Sequence, residues 1–461
     1  MAGDREDVII EMKFPTEISK GIPNEGQLHE VMQQRLAVLP GEARKYEPLK
    51  LFRVPACFRE ANKVMYEPLE VSIGPYYQGR ESLRSMEKYK WKVLRDFLSR
   101  NPDVGLDVYL LETKKLEADT RKWYGESISL GSDEFVMMLV LDGCFIIEYF
   151  LKRQNSEFDA FFGVAGWSVK SDLLLLENQI PFFVIHKLFS VHESLNAECN
   201  ENCSLLELVV KYLPASDTFT RSKPPCKEIN HLLHLFYWYL TFNATKIHSI
   251  ISTPEEYGTF SGIESRYSWL ESTGKDVKQE DITIPCVTKL HEAGVKFRLK
   301  KNFSHYFDIT FKNGIIEMPL NVLNKPWCRL LTNIVTFEQN LPMQFRIGTS
   351  YAQLMDLLVN NEKDVVLLEK KGLIENWLGS EEAAAAFCNQ LGSCGILDIG
   401  NHYFLDFMKD LRAYARLPWP RYRAKLMHDY FSNPWSLISI LAAGLLLILT
   451  VVQTYYTISH A

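Results

Sequence analysis

The chain has 461 residues, of which 47% are hydrophobic and 23% are charged, and its formal net charge is -6. This composition is typical of an ordered globular protein and excludes collagen-like, low-complexity and largely disordered chains. The acidic balance argues against a nucleic-acid binder, because neutralising phosphates requires an excess of Lys and Arg on one face.

The N-terminal segment, residues 1–45, is polar, and we expect it to lead loosely into a globular domain at 46–433. Its first twelve residues include four acidic ones, which is the wrong composition for a signal peptide. The nine cysteines are sparse and follow no disulfide-framework spacing, so we expect mostly free thiols in a reducing, cytosolic setting. Cys57, Cys144 and Cys388 lie in apolar surroundings and are expected to be buried.

Helical periodicity dominates the first part of the globular domain. Apolar residues recur at helical spacing over 82–99, which predicts a helix with one buried face on which either Tyr89 or Lys90 lies. An apolar run at 135–151 follows Ser132 and two acidic residues, a pattern typical of a helix N-terminus. We expect this second helix to be deeply buried.

A long apolar pattern over 172–189 is interrupted by Glu177-Asn178-Gln179 and by Pro181. Because a proline removes one helical backbone bond, the pattern predicts either a kink or two abutting helices. The three polar residues are then expected to satisfy backbone groups at a buried bend. A catalytic or ligand-binding Glu177 is the alternative.

Two later stretches, 214–230 and 258–285, are dominated by Pro, Ser, Gly and Lys, and we expect them to be surface loops that face a partner. Alternating apolar residues over 295–320, with Asn313-Gly314 between two runs, predict a small antiparallel β-meander with a type I′ turn. Helical patterns then return. The predicted fold class is mainly α: a large helical domain with this small meander and one C-terminal transmembrane helix.

The C-terminal region contains an 18-residue stretch without a charge, from Trp435 to Val452. As a helix it spans roughly 27 Å, enough to cross a bilayer. Trp435 and Tyr455-Tyr456 lie where interfacial aromatic residues belong, so we predict a transmembrane helix at 434–453 and a short tail at 454–461. A buried core helix is the alternative.

The charges around this stretch predict its orientation. The tail from residue 453 onward has no Lys or Arg, whereas four basic residues precede the helix: Arg416, Arg421, Arg423 and Lys425. By the positive-inside rule the large domain lies in the cytosol, on a single-pass anchor in the plasma membrane or endoplasmic reticulum. Three sequons would be glycosylated only if the domain faced the lumen: Asn202, Asn243 and Asn302. Ser439 and Ala443 have the spacing of a helix-pairing face, which suggests a homodimer through the transmembrane helix.

Sequence motifs for catalysis or metal binding are incomplete. His231 and His234 are expected to share one face of a helix, but a zinc site needs a third ligand that the sequence does not indicate. We therefore predict no catalytic residue, no metal ligand and no cofactor. The alternative is a membrane-bound, hydrolase-like enzyme whose site assembles around Glu177, His231 and His234.

Distinctive blocks of sequence begin at Val54 to Trp91, which reads VPACFREANKVMYEPLEVSIGPYYQGRESLRSMEKYKW. Further blocks follow at Leu141 to Glu148, Asp172 to Phe183, His231 to Leu235, Glu292 to Phe297, Phe337 to Gln339, Asp364-Val365 and Tyr430 to Trp435. In their order these blocks resemble the plant "domain of unknown function 247" family, and the resemblance extends from about residue 50 onward. Tyr77 departs from the family pattern, where a His is expected.

The resemblance implies a plant protein with a helix-rich domain and a C-terminal membrane anchor, without an agreed catalytic apparatus. Some grass members of the family are tied to pollen-side self-incompatibility, which suggests recognition. We therefore expect a membrane-anchored, non-catalytic interaction or recognition protein, for example in cell–cell recognition such as self-incompatibility. Its partners would be the lipid bilayer and an unknown protein, and no nucleic acid.

Overall fold

The computed structural model describes residues 29–30, 32–33, 51–154, 165–193, 204–210, 229–241, 283–397, 399–418 and 434–459. The chain divides into two compact units, Met1–Glu47 and Pro48–Ala461. Within the first unit, the described residues 29–30 and 32–33 are helical and exposed. The mainly α fold class with a small sheet is confirmed.

The first part of the second unit is a group of helices around one long helix. These helices are α1 (Ala56–Ala61), α2 (Arg84–Arg100), α3 (Leu106–Arg121), α4 (Ser132–Gln154), α5 (Ala165–Asp172), α6 (Phe182–Glu193), α7 (Ser204–Val210) and α8 (Leu232–Thr241). The long helix α4 packs against α2, α3, α6 and α7, and its apolar side chains are almost all buried.

Helix α4 begins where the sequence predicts. Asp133 and Glu134 occupy its first turn, where negative charge is favourable to the helix dipole, and a Glu134 carboxylate oxygen accepts from the Gly131 N–H at 3.2 Å. Lys152 and Arg153 occupy the last turn. The predicted burial is confirmed, with Met137 as an exception that is 43% exposed.

The interrupted pattern around Pro181 forms two helices rather than one kinked helix. Helix α5 ends at Asp172, and α6 begins directly after Pro181. The Pro181 carbonyl accepts from the Val184 N–H at 3.0 Å, so the proline occupies the start of α6, where its missing N–H costs little. The bend between the two helices is buried throughout.

Five short strands form two small sheets: β1 (Lys296–Leu299), β2 (Thr310–Lys312) and β3 (Ile315–Met318), then β4 (Asn321–Leu323) with β5 (Ile374–Asn376). The type I′ turn is confirmed, since Asn313 and Gly314 both have positive φ, 51° and 76°. The prediction of an antiparallel meander is wrong for β1. This strand pairs parallel with β3, and the strand order in the sheet is β1-β3-β2. The connection over residues 300–309 is too long for a hairpin, and its apolar alternation reflects burial of Phe307 and Ile309 in the core.

The second part of the unit is again helical. Its helices are α9 (Val287–Glu292), α10 (Lys325–Glu338), α11 (Ile347–Leu358), α12 (Glu362–Lys370), α13 (Glu381–Ser393), α14 (Leu405–Ala415) and α15 (Pro434–Ser459). Side-chain caps define several starts: Asn324 accepts from the Trp327 N–H at 2.9 Å, and Ser380 accepts from the Ala383 N–H at 3.1 Å. Helix α11 packs against α10 and α13.

The cysteines confirm one expectation and correct another. All six cysteines that are assigned within the described residues are free thiols. Cys144 and Cys388 are buried as predicted, but Cys57 is exposed. The short helix α1 turns the neighbouring Phe58 toward the core instead, so Cys57 faces solvent.

Candidate functional site

An irregular segment lies against helices α2 and α4 and against the buried bend between α5 and α6. This segment, which we call the strap, comprises residues 66–80 and contains no helix or strand. Buried amides need hydrogen-bond partners, and side chains from α4, from the end of α5 and from the bend after it supply them. Asp172 accepts from the N–H groups of Leu69, Glu70 and Val71 at 2.6 to 3.1 Å.

Two further side chains extend this pattern along the strap. The Asn178 amide oxygen accepts from the Ile73 N–H at 2.7 Å, and Asp142 on α4 accepts from the Gly74 N–H at 2.8 Å. Gly74 has φ of 74°, and a Cβ there would lie 2.4 Å from the Gln179 carbonyl oxygen. The strap is therefore held through its backbone by a few buried polar side chains.

The two carboxylates that bind the strap each have a buried cation. Lys90 Nζ lies 2.6 Å from Asp142 Oδ1, and Arg329 Nη1 lies 3.0 Å from Asp172 Oδ1. All four side chains are at most 5% exposed. Burial raises the pKa of Asp142 to about 6 in spite of Lys90, and burial also raises the pKa of Asp172. Removing one member of such a pair leaves an uncompensated buried charge.

Glu177 forms a third buried contact set beside the strap. Its carboxylate accepts from the Val54 N–H at 2.6 Å, from the Tyr77 hydroxyl at 2.5 Å and from the Arg59 guanidinium. Burial and the bond to Glu177 raise the pKa of Tyr77. Tyr77, at the position where the family resemblance leads us to expect His, is therefore a donor to a structural carboxylate.

Asn178 and Gln179, the other two residues of the polar sequence Glu177-Asn178-Gln179, form hydrogen bonds with the backbone of the bend. Gln179 Nε2 donates to the carbonyls of Leu173 and Leu175 at 2.7 and 2.8 Å, and Asn178 Nδ2 donates to the Asp172 carbonyl at 2.9 Å. This confirms the expectation that these polar side chains satisfy backbone groups at a buried bend.

The two predicted histidines stabilise the start of α8. His231 directly precedes this helix, and its Nδ1 accepts from the His234 N–H at 3.2 Å, as an N-cap side chain does. His234 Nδ1 in turn accepts from the Asn230 N–H at 3.1 Å. Phe337 packs against both imidazoles, with ring centroids 5.3 and 5.4 Å away. Burial lowers the pKa of His234 to about 4 and also lowers that of His231.

Glu177 and the two imidazoles therefore lie in different contact sets. Within the described part of the chain, no hydrogen bond joins Glu177 to His231 or His234. Over the same residues, no group of three or more His, Cys, Asp or Glu side chains is arranged to hold a metal ion. In the structure, Glu177 pairs with Arg59 and accepts from the Val54 N–H, while the two histidines accept from backbone N–H groups at the start of α8.

A cavity of about 170 Å³ lies beside the strap. Lys90 and Asp142 line its buried end, while Trp91 and Met137, which are 50% and 43% exposed, line its open side. Lys90 donates to Asp142 and Glu87, both at 2.6 Å, and to the Ser72 carbonyl. Helical spacing alone left open whether Tyr89 or Lys90 lies on the buried face of α2. The sequence signal for a buried lysine is the acidic residue Asp142 inside the apolar run of α4, because a buried carboxylate needs a cation as partner.

Helix α15 is the other candidate feature, and all of its side chains whose burial is described are exposed. It runs through Trp435 and Val452 to Ser459, and none of the window Ala442–Ser459 is buried. Among the described residues, it is the one helix long and apolar enough to cross a membrane. Ser439 and Ala443, the proposed pairing face, are both exposed.

The remaining predicted residues are only partly described. Arg416 is the exposed C-cap of α14, and Asn302 is exposed next to β1. The other topology-setting and sequon residues lie outside the described residues: Arg421, Arg423, Lys425, Asn202 and Asn243. The two predicted partner loops also lie outside them, except for residues 229–230 and 283–285.

Comparison with known proteins extends over nearly the whole chain. A family model described as "DUF247: Plant protein of unknown function" matches residues 51–449. The UPF0481 protein At3g47200 of Arabidopsis thaliana is 28% identical over 90% of this chain and 88% of its own length. The putative UPF0481 protein At3g02645 of the same plant is 22% identical over 88% of this chain and 90% of its own length. No solved structure matches the chain.

Proposed function

The chain belongs to the DUF247 family of plant proteins, and from that premise we propose that it is a membrane-anchored, non-catalytic interaction protein. Its helical body is held at the surface of a bilayer by α15. The anchor confines the body to a surface and thereby raises its effective concentration for partners on the same membrane.

The exposure of α15 is the observation that carries this proposal. Its 26 residues contain no charged side chain, and at about 1.5 Å per residue the helix is roughly 39 Å long, against about 30 Å for the hydrocarbon core. Leu446, Leu447 and Ile448 are 60% to 69% exposed. Such a continuous apolar surface requires an apolar environment, which lipid provides.

The interior of the body supports the non-catalytic part of the proposal. The polar groups that sequence reasoning offered for chemistry have structural contacts, because Glu177 binds Val54, Arg59 and Tyr77 while His231 caps α8. A general acid or base must instead face a site that substrate reaches.

The finer parts of the proposal concern orientation and partner. We place the body in the cytosol, at the plasma membrane or endoplasmic reticulum, because the basic residues precede α15 and the tail after it has none. We assign partner binding to the loops at 214–230 and 258–285, whose composition is that of exposed segments. Recognition between cells, as in self-incompatibility, is one role that such a protein would serve.

Loop exchange between this chain and an Arabidopsis relative tests the proposal. Replacing 214–230 and 258–285 with the relative's loops is expected to transfer the set of proteins recovered by affinity purification from plant membranes. Exchange of the surface loop at 125–131 is the control and should leave that set unchanged. A chain truncated before Pro434 should recover fewer partners. Unchanged partner sets after both loop exchanges, or full recovery by the truncated chain, would contradict the proposal.

A further inference from the structure

The cavity beside the strap combines an acidic rim with an aromatic and thioether wall. Glu87 and Trp91 are four residues apart on α2, so both side chains project from the same face of that helix. Met137 and Met138 on α4 line the opposite side. Thioethers are polarizable and adapt to irregular ligands, and an indole ring attracts cations over its face.

The charge in this cavity is negative on balance. Its lining residues include one ammonium group, Lys90, and two carboxylates, Glu87 and Asp142. Lys90 directs its three protons at Ser72, Glu87 and Asp142, which leaves it no donor for an anion. A cation is therefore the charged ligand that this cavity favours.

Glu87 has the geometry to meet such a cation. Its Oε1 accepts from Lys90 at 2.6 Å and from the Ser72 hydroxyl at 3.2 Å. Within the described part of the chain, Oε2 accepts no hydrogen bond, and the side chain is 27% exposed. One carboxylate oxygen is thus fixed by buried groups while the other is available at the rim.

The volume limits the size of the ligand. The cavity measures about 170 Å³, and a protein cavity of about 150 Å³ is large enough to hold benzene. The ligand would therefore have roughly six to eight non-hydrogen atoms. A hydrated metal ion would gain nothing from the indole and thioether wall.

We propose that this cavity binds a small organic ammonium ion, with Glu87 as the counter-ion and Trp91 as the aromatic wall. The cation enters through the side where Trp91 and Met137 are exposed. The buried Lys90–Asp142 pair is the fixed end of the cavity and makes no proton transfer to the ligand. This site is independent of membrane attachment and of the partner loops.

Choline binding to the full-length chain in non-ionic detergent tests the site. Titration calorimetry, together with saturation transfer from the protein to the choline methyl protons, would measure it. We expect saturable binding of choline and at least tenfold weaker binding of 3,3-dimethyl-1-butanol, a neutral analogue of the same shape. Equal binding of the two would overturn the proposal, because the cavity would then recognise shape alone. Absence of saturable choline binding would overturn it as well.

Two substitutions locate the ligand in the cavity. Glu87→Gln is expected to raise the Kd for choline about tenfold through loss of the counter-charge, and Trp91→Leu about fivefold. Trp377→Leu is the matched control, since Trp377 is 70% exposed and does not line the cavity, and it should leave the Kd unchanged. Trp91 is half-exposed, so its variant keeps the test valid if Glu87→Gln unfolds the chain. An unchanged Kd in the Trp91→Leu variant would contradict the assignment.

Glycerophosphocholine distinguishes a free organic ammonium ion from a lipid headgroup as the ligand of this cavity. Its phosphate adds a negative charge next to an acidic rim, so a site for a free ammonium ion should bind it more weakly than choline. Binding at least as tight as that of choline would mean that only the trimethylammonium end enters the cavity while the phosphoglycerol lies outside its open side, and it would identify a lipid headgroup as the ligand.

Discussion

Helices α4 and α15 are the two long apolar helices among the described residues, with 23 and 26 residues, and they differ in what surrounds them. Helix α4 is enclosed by α2, α3, α6 and α7, whereas the window Ala442–Ser459 of α15 has no buried residue. Helix α4 also includes Asp142 and Glu148, buried and paired with Lys90 and Arg100, while α15 has no charged residue. Apolar content alone therefore does not separate a core helix from a membrane helix.

The difference lies in how each apolar surface is satisfied. Burying a Leu or Phe side chain is worth about 1.5–3 kcal/mol, and α4 gains this from protein contacts. In α15 the same gain is available only from lipid or from another apolar surface. A core helix can accept a charge when a partner comes from a neighbouring element, whereas no helix or strand of the described residues packs closely against α15.

The largest effect is expected from breaking the buried pair of α4. Lys90→Met removes the cation that pairs with Asp142, so the buried carboxyl must stay charged without a partner or take up a proton, and either cost should lower the free energy of unfolding by about 3–5 kcal/mol. Urea denaturation of the full chain in detergent would measure the change. Lys88→Met, at an exposed position of the same helix, is the control and should change stability by less than about 0.5 kcal/mol. Equal effects of the two substitutions would show that the pair does not stabilise the fold.

A charge in α15 should affect membrane insertion rather than folding. Leu446→Arg places a guanidinium near the middle of the helix, at a cost of about 2.5–3.5 kcal/mol for insertion. The fraction of chain that floats with lipid vesicles should fall, while the urea midpoint of the body stays the same. Gln453→Arg, nearer the end of the helix, should have little effect because a long side chain there reaches the interface. Unchanged flotation of Leu446→Arg would mean that α15 is not in lipid.

The stability of the globular body should depend on pH, whereas membrane attachment through α15 should not. Burial raises the pKa of Glu338 to about 8, above its ordinary value of about 4.3 in an unfolded chain. Its contribution to stability is therefore fully present below about pH 4.3 and is lost as the pH rises through 8, with a slope of at most about 1.4 kcal/mol per pH unit. Urea titrations from pH 5 to 8 should show this loss, and Glu338→Gln should flatten it. An identical slope in both chains would exclude Glu338 as the cause.

Helix α15 has no Asp, Glu, Lys, Arg or His, so vesicle flotation should not change over the same pH range. A pH-dependent release from vesicles would indicate that attachment involves titratable groups of the body. This comparison uses the same samples as the stability measurement.

The smallest effect is expected at a helix cap. Ser380→Ala removes the side-chain acceptor for the Ala383 N–H and should lower stability by about 1 kcal/mol. Ser393→Ala, in the last turn of the same helix α13, is the control, because its hydroxyl donates to the Gln390 carbonyl and caps no N–H. Neither substitution should alter flotation. A larger loss for Ser393→Ala would contradict the capping role.

Local sequence signals predicted local structure well. The start of α4 at Ser132, the type I′ turn at Asn313-Gly314 and the cap at Ser380 all depend on residues a few positions apart. The periodicity over 135–151 and the uncharged stretch from 435 to 452 likewise predicted two helices with different surroundings.

Contacts between distant residues were not predictable from one sequence. Asp142 inside the apolar run of α4 signals that a buried cation is needed, but Lys90 is 52 residues away, so only the fold shows that this cation is Lys90. Strand β1 pairs parallel with β3 because the 300–309 connection leads the chain to the far edge of β3, which alternation cannot reveal. For Glu177, the sequence correctly predicted a place in a buried bend. It did not predict that the Glu177 carboxylate would bind Tyr77 of the strap, 100 residues earlier in the chain.

Alkaline carbonate extraction of plant membranes tests the membrane anchor most directly. The full chain should remain with the membrane pellet, and the chain ending at residue 433 should be recovered in the supernatant. Full-length protein that leaves the membranes in carbonate would contradict this account, because alkaline carbonate releases proteins held by electrostatic contacts and does not extract a helix embedded in lipid.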